Sequence, residues 1–305
     1  MKRIVIGTLA VGALAASALV QAAPGDRLRA RLAERGGASA APQAPGKQTF
    51  AYGKDPLQVM DYWPAQGARR PAPLIVFVHG GGWKRGTKDN AGGNWKAPHY
   101  TGEGYAYAAI NYRLVPGASV EDEAADVAAS LRYLIGHAAA LGIDPARIVL
   151  MGHSAGAHLV ALVGTDERYL RGAGLSFANV QGVIPIDGAA YDVAKQIADG
   201  GQFMHDTYIE AFGTDPARQH ALSPTLQAAA PNAPAFLLIH VQRKDGVAQN
   251  IALESALKAG GTKVARQSFP GEGLRGHAEI NRSLGDPSYA ATPVVDSWLK
   301  QVFGQ

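Results

Sequence analysis

Runs of strand length, most of them almost unbroken apolar stretches, recur along the chain: PLIVFVH (73–79), YAYAAINY (105–112), RIVLMGH (147–153), VQGVIPI (180–186), APAFLLIH (233–240) and KVARQSF (263–269). A strand covered on both faces reads this way because neither face needs polar side chains, and such strands build parallel sheets flanked by helices. The segments between them have helical spacing. Ser119 opens one, Asp122 three residues on completes a capping box, and Val120, Ala124, Val127, Leu131, Leu134 and Ala138 follow on one face. Strand and helix in alternation predict an α/β domain with a mostly parallel central sheet and helices on both faces. Upstream, FAYG and LQVMDYWP predict two antiparallel strands leading into that sheet.

Three segments follow from this texture. Residues 1–22 carry Lys2 and Arg3, then an uncharged run from Ile4 to Val20, then small residues with Val20 and Ala22 at the spacing of a peptidase site. This is the pattern of a signal peptide, and it predicts export to the periplasm or beyond. The run is short and rich in Ala and Gly, marginal for a hydrocarbon layer about 30 Å thick, so no stable membrane association is expected once it is removed. Residues 23–47 are rich in Arg, Gly, Ala and Pro and predict a flexible linker. Residues 48–305 are left as one α/β domain, with no repeat and no second linker.

Charge changes the picture once it is divided along the chain. The net charge is +4, of which residues 1–22 carry +2 and residues 23–47 carry +3, so residues 48–305 carry −1. The body of the protein therefore has no electrostatic footprint for a phosphate backbone, and no nucleic-acid partner is expected. The chain has no cysteine, which excludes disulfides, thiolate metal sites and a cysteine nucleophile. Its histidines show no ligand spacing and no His-Glu-x-x-His string, so no metal is expected.

Two motifs carry chemistry. Gly152-His153-Ser154-Ala155-Gly156 falls where the strand RIVLM ends and the apolar helix AHLVALVG begins. A sharp strand-to-helix turn forces its central serine into a strained conformation and needs small neighbours, which Gly152 and Gly156 supply. The turn would present the Ser154 hydroxyl at the carboxyl edge of the sheet, beside a helix amino terminus that favours negative charge. The second motif is His79-Gly80-Gly81-Gly82-Trp83, directly after PLIVFV. Three glycines in a row cost conformational entropy, and backbone N–H groups that must face an oxygen without an intervening side chain would repay it. The N–H groups of Gly81, Gly82 and Ala155 are the expected oxyanion hole. His79 is expected to hold this loop in shape, and His153 and His158 to satisfy buried hydrogen bonds.

These motifs, with Asn111-Tyr112-Arg113-Leu114, Ser223-Pro224 and His277-Ala278-Glu279, resemble the α/β-hydrolase superfamily. Within it they are most similar to the hormone-sensitive-lipase-like, kynurenine-formamidase-like and bacterial feruloyl-esterase-like enzymes. The resemblance covers roughly residues 48–303. It implies that fold with a small cap segment, acyl-transfer chemistry without an organic cofactor, and a triad in the chain order serine, acid, histidine. Under that order Asp245 is the first acid after APAFLLIH, and His277 is the only histidine beyond it. The expected triad is therefore Ser154, Asp245 and His277, with Asp187 and Asp192, which follow VQGVIPI, as rival acids. The resembled families often place a glycine right after the late-strand histidine. Here Val241-Gln242-Arg243-Lys244 intervene, with two cations expected to be solvated.

Trp83, Tyr191 and Phe203 are candidate pocket residues, and Asp187 to Phe212 a candidate cap. The resemblance implies no particular substrate; the leading expectation, which the predicted export favours, is a serine carboxylic-ester hydrolase acting on a small-molecule or polysaccharide-linked ester with a small to medium acyl or aryl group. An arylformamidase using the same triad is the alternative, and a catalytically inactive hydrolase-fold binding module stands behind both. The oligomeric state is left open.

Overall fold

The computed structural model describes residues 43–67, 71–91, 93–199 and 201–305. The expected signal peptide and most of the expected linker lie outside the described residues. Lys47, the last linker residue, pairs with Asp61 at 2.6 Å.

Eight strands form one sheet: β1 (Gln48–Ala51), β2 (Val59–Trp63), β3 (Ala72–Val78), β4 (Ala106–Ile110), β5 (Ile143–His153), β6 (Gly182–Ile186), β7 (Ala235–Gln242) and β8 (Lys263–Glu272). Their order is β1-β2-β4-β3-β5-β6-β7-β8. The first two strands pair antiparallel, β2 joins β4 antiparallel, and every other pairing is parallel. Every residue of β3, β4 and β6 is buried, which is the reason those segments read as unbroken apolar runs. β8 alternates instead, as an edge strand with one wet face does.

The helices that position the site are α1 (Gly93–Gly102), α2 (Val120–Gly136), α3 (Ala155–Thr165), α4 (Val193–Asp199), α5 (Gln202–Phe212), α6 (Lys244–Ala259), α7 (Gly273–Ser283) and α8 (Ala291–Phe303). Side chains alternate across a strand, so β3 feeds two cores. Leu74, Val76 and Val78 pack with Leu131 and Leu134 of α2 and Leu159 of α3. Ile75 and Phe77 pack with Tyr100 of α1, Ile280 of α7 and Val295 and Leu299 of α8. Truncating one of these fully buried residues, Leu131→Ala for instance, costs about 2–5 kcal/mol through lost burial and the cavity left behind. The capping box at the start of α2 forms as the sequence predicts: the Asp122 N–H donates to Ser119 Oγ (3.2 Å) and the Ser119 N–H to Asp122 Oδ2 (2.9 Å).

After β3 the chain goes to one side of the sheet, to β4, and after β5 to the other, to β6. The loops beyond β3 and β5 therefore part at the point where the winding reverses, where open α/β sheets form a crevice at their carboxyl edge. Both sequence motifs sit on those two loops. Between β6 and β7 the chain makes α4, α5 and two short helices, Pro216–Ala221 and Pro224–Gln227. The cap segment thus extends past the expected Phe212. Among the described residues no helix is long and apolar enough to cross a membrane.

Candidate active site

Ser154 occupies the turn between β5 and α3 with φ 57° and ψ −119°, a conformation that costs a residue bearing a Cβ about 1–3 kcal/mol. Its glycine neighbours make the turn possible. A Cβ on Gly152 would lie 2.2 Å from the Gly156 carbonyl oxygen, and one on Gly156 would lie 2.1 Å from that of Val78. The Ser154 N–H donates to the Ile186 carbonyl (3.0 Å), and the Ser154 carbonyl accepts from the His158 N–H (3.1 Å). The turn is thereby fastened to β6 on one side and continued into α3 on the other.

The glycine loop presses against this turn. A Cβ on Gly80 would stand 2.8 Å from both Ser154 Cβ and the His153 carbonyl oxygen. Gly81, Gly82 and Trp83 follow with φ 135°, 62° and 61°, a run of left-handed backbone that turns the loop sharply. His79 holds it: Nδ1 lies 2.8 Å from the Gly80 carbonyl oxygen, the ring stacks on Tyr112 at 4.2 Å, and the Tyr112 hydroxyl donates to the His79 carbonyl (2.8 Å). Burial pushes the His79 imidazole down to about 4, so it stays neutral.

Trp83 anchors the far end of the loop. Its Nε1–H donates to His158 Nδ1 (3.3 Å), which leaves the proton of His158 on Nε2, facing the Leu222 carbonyl at 2.8 Å. Its ring meets Phe212 of α5 edge-on at 4.7 Å. At 3% exposure Trp83 is a core residue joining loop, α3 and cap, rather than an open pocket wall. Tyr191 is likewise fully buried. The side chain of Phe203 lies outside what the structure describes.

Asp187 Oδ2 lies 2.5 Å from His277 Nδ1, whereas Asp245 accepts from Gln196 Nε2 at 3.2 Å. The expected pairing of Asp245 with His277 is therefore corrected: the acid beside the imidazole is Asp187. The reason is topological. His153 and Ile186 are register partners at the ends of the adjacent strands β5 and β6, so Ser154 and Asp187, each one residue further on, emerge side by side. Asp245 lies past β7, in the first turn of α6, where it ties that helix to Gln196 and, through the same amide, to the Tyr208 hydroxyl (3.2 Å) of the cap. Asp192, the other rival, donates its backbone N–H to Gln249 Oε1 (2.7 Å), and its Oδ1 accepts from the Lys195 N–H (3.1 Å).

Asp187 is fully buried and has φ 45°. Its Oδ1 accepts from the Val241 N–H (3.1 Å), and its own N–H donates to the Ile239 carbonyl (2.7 Å). Arg243, expected in solvent, brings Nε to 3.2 Å from Asp187 Oδ2 instead. His277 rides on α7, its ring 4.4 Å from that of His153 and tilted 35° to it. The His153 Nε2–H donates to the His277 carbonyl (2.9 Å), and burial, aided by the charge of His277, drives the His153 imidazole well below its ordinary value. From α1, the fully buried Lys96 donates to the backbone and side-chain oxygens of Asn281, one turn beyond His277, the latter at 3.0 Å. Lys96, Arg243 and Gln196 carry no motif in the sequence, although Asp187 shows one signal there: it is the first residue after an apolar run, as Ser154 is.

Among the described residues no group of three or more His, Asp or Glu could hold a metal ion. The arrangement instead suits proton transfer: a hydroxyl on a strained turn, a buried acid beside it, and an imidazole held by that acid and flanked by a neutral one.

The sequence model of the BD-FAE family matches residues 60–254. The probable isoprenylcysteine alpha-carbonyl methylesterase ICMEL1 of Arabidopsis thaliana is 34% identical over 121 residues, 40% of this chain and 25% of that protein. Carboxylesterase NlhH of Mycobacterium tuberculosis is 34% identical over 132 residues, 43% of this chain and 41% of that one. The chain thus spans from a quarter to two-fifths of the length of these two relatives. Esterase B from Lactobacillus rhamnosis superposes with a TM-score of 0.72 at 22% identity, covering 92% of this chain and 91% of that chain. The fold is that of the α/β-hydrolases.

Proposed function

Because the chain belongs to the BD-FAE family, we propose that it is a serine carboxylic-ester hydrolase whose triad is Ser154, His277 and Asp187, acting on small to medium acyl or aryl esters. One observation carries the reading: the 2.5 Å contact of His277 Nδ1 with a buried carboxylate that emerges beside Ser154 from the neighbouring strand. In this reaction the Ser154 hydroxyl oxygen attacks the acyl carbon while His277 Nε2 takes its proton. Asp187 keeps the Nδ1–H tautomer in place and stabilises the imidazolium. The carbonyl oxygen, now negative, is received by the N–H groups of Gly81, Gly82 and Ala155. The C–O bond of the tetrahedral species then breaks, and His277 returns the proton to the departing alcohol. Water repeats the sequence on the acyl-enzyme, releasing the acid and restoring Ser154.

Export fits this substrate class, since esters linked to polysaccharide lie outside the cell. The leader-like residues 1–22 support that location. A fluorophosphonate probe, with p-nitrophenyl acetate, methyl ferulate and N-formylkynurenine assayed side by side, tests the proposal. Labelling that vanishes in Ser154→Ala together with ester turnover is the expected result. Labelling that persists in that variant, or turnover of the formamide alone, overturns it.

A further inference from the structure

Arg243 stands where the sequence suggests only a solvated cation. It precedes α6 as its N-cap, its side chain is 13% exposed, and its Nε lies 3.2 Å from Asp187 Oδ2, the oxygen that also meets His277 Nδ1. The Nε–H is not aligned for a hydrogen bond, and Nη2 reaches the Asp187 carbonyl oxygen only at 3.5 Å. The contact is thus between charges. A guanidinium keeps its proton at every working pH, so this charge is fixed whatever the imidazole does.

Building on the triad proposed above, we propose that Arg243 is a positioning residue for the acid: by sharing Asp187 Oδ2 with His277 it lowers the basicity of the imidazole and extends activity to lower pH. A carboxylate stabilises a neighbouring imidazolium in proportion to the negative charge it presents. A guanidinium on the same oxygen opposes that stabilisation, so His277 gives up its proton at a lower pH and is neutral, ready to accept one from Ser154, over a wider range. The other carboxylate oxygen, Oδ1, accepts from the Val241 N–H at 3.1 Å, so Arg243 is the cation set against the oxygen that His277 shares.

The other groups facing this pair do not supply such a charge. His153, from β5, is kept neutral by burial. His240, in β7, is also lowered, burial being the main cause. The Tyr191 and Tyr289 phenols are raised by burial and by Asp187 itself, so both stay protonated. Lys96, from α1, binds Asn281 rather than Asp187. Asp245, from α6, is taken up by Gln196.

The test is the pH dependence of kcat/KM for p-nitrophenyl acetate in the full chain, with Arg243→Met and Arg243→Lys beside the native protein. Arg243→Met is expected to move the acid limb upward by about one pH unit, a tenfold loss below it, while Arg243→Lys stays near the native limb. An NMR titration of the His277 imidazole in Ser154→Ala and in Ser154→Ala with Arg243→Met reads the same shift without turnover. An unmoved limb and an unmoved His277 titration in Arg243→Met overturn the role of Arg243 while leaving the esterase reading intact. Absence of any Ser154-dependent turnover in the native protein would instead strike the function proposed above.

Discussion

Ser154 and Asp187 are each the first residue beyond two paired strands, and both hold left-handed backbone, φ 57° and 45°. Their predecessors His153 and Ile186 are register partners, and the Ser154 N–H donates to the Ile186 carbonyl. The candidate nucleophile and acid are therefore placed by one strand pairing, with His277 brought from α7 to Asp187.

This placement decides between the two acids. Asp187→Asn keeps the shape of the side chain but removes the charge that stabilises the imidazolium and can reverse the tautomer. We expect kcat on p-nitrophenyl acetate to fall by about 10⁴. Asp245→Asn removes a contact with Gln196 in the cap and should stay within roughly tenfold of native, the scale of a lost neutral hydrogen bond. Steady-state kinetics on both variants, with circular dichroism to verify folding, check this, and the reverse ranking would refute the assignment of the acid.

Gly80 offers a test of the loop. An added Cβ would come within 2.8 Å of Ser154 Cβ and of the His153 carbonyl, both parts of a turn fastened to β6 and α3. Neither can yield, so the loop must move outward and carry the N–H groups of Gly81 and Gly82 with it. A displacement on the order of 1 Å at a reacting centre costs about 100-fold in rate. Gly80→Ala should therefore lose roughly that factor in kcat and label slowly with a fluorophosphonate. Native kinetics in this variant would mean that the loop does not hold the developing oxyanion.

Much of this arrangement was legible in the order of residues, because the physics that places it is local. Fully buried strands must be apolar on both faces, so β3, β4, β5 and β6 announced themselves, and the Ser154 turn and the loop after His79 need glycines that nothing else requires. The acid was not legible in the same way. Asp187 and Asp245 each follow an apolar run, and only the lateral pairing of β5 with β6 shows which carboxylate comes out next to Ser154. Arg243 was hidden for a related reason: a cation three residues past His240 reads as solvated until its side chain is seen folding back over Asp187. Trp83 and Tyr191 read equally well as pocket or core, and burial alone separates the two.

Two buried ionisable groups outside the triad make the stability of the fold depend on pH in opposite directions. Glu123 of α2 is fully buried with no hydrogen-bond partner for either carboxyl oxygen. The nearby Val115 N–H already donates to the Trp83 carbonyl (3.0 Å). Burial pushes the Glu123 carboxyl up from 4.5 to about 10. The folded chain then holds a proton that the unfolded chain has released, so stability falls as pH rises from about 4.5 to about 10. Lys96 works the other way. Burial lowers its ammonium from 10.5 to about 7, the unfolded chain holds the extra proton, and stability rises from about pH 7 to about 10.5. Each slope is on the order of 1 kcal/mol per pH unit. Between pH 7 and 10 they oppose each other, whereas between 4.5 and 7 Glu123 acts without that counterweight. Urea unfolding at pH 6, 7.5 and 9 should accordingly show Glu123→Gln gaining stability with pH above 7 and Lys96→Met losing it, with the native protein between them. Parallel curves for all three would show that neither group titrates differently on folding.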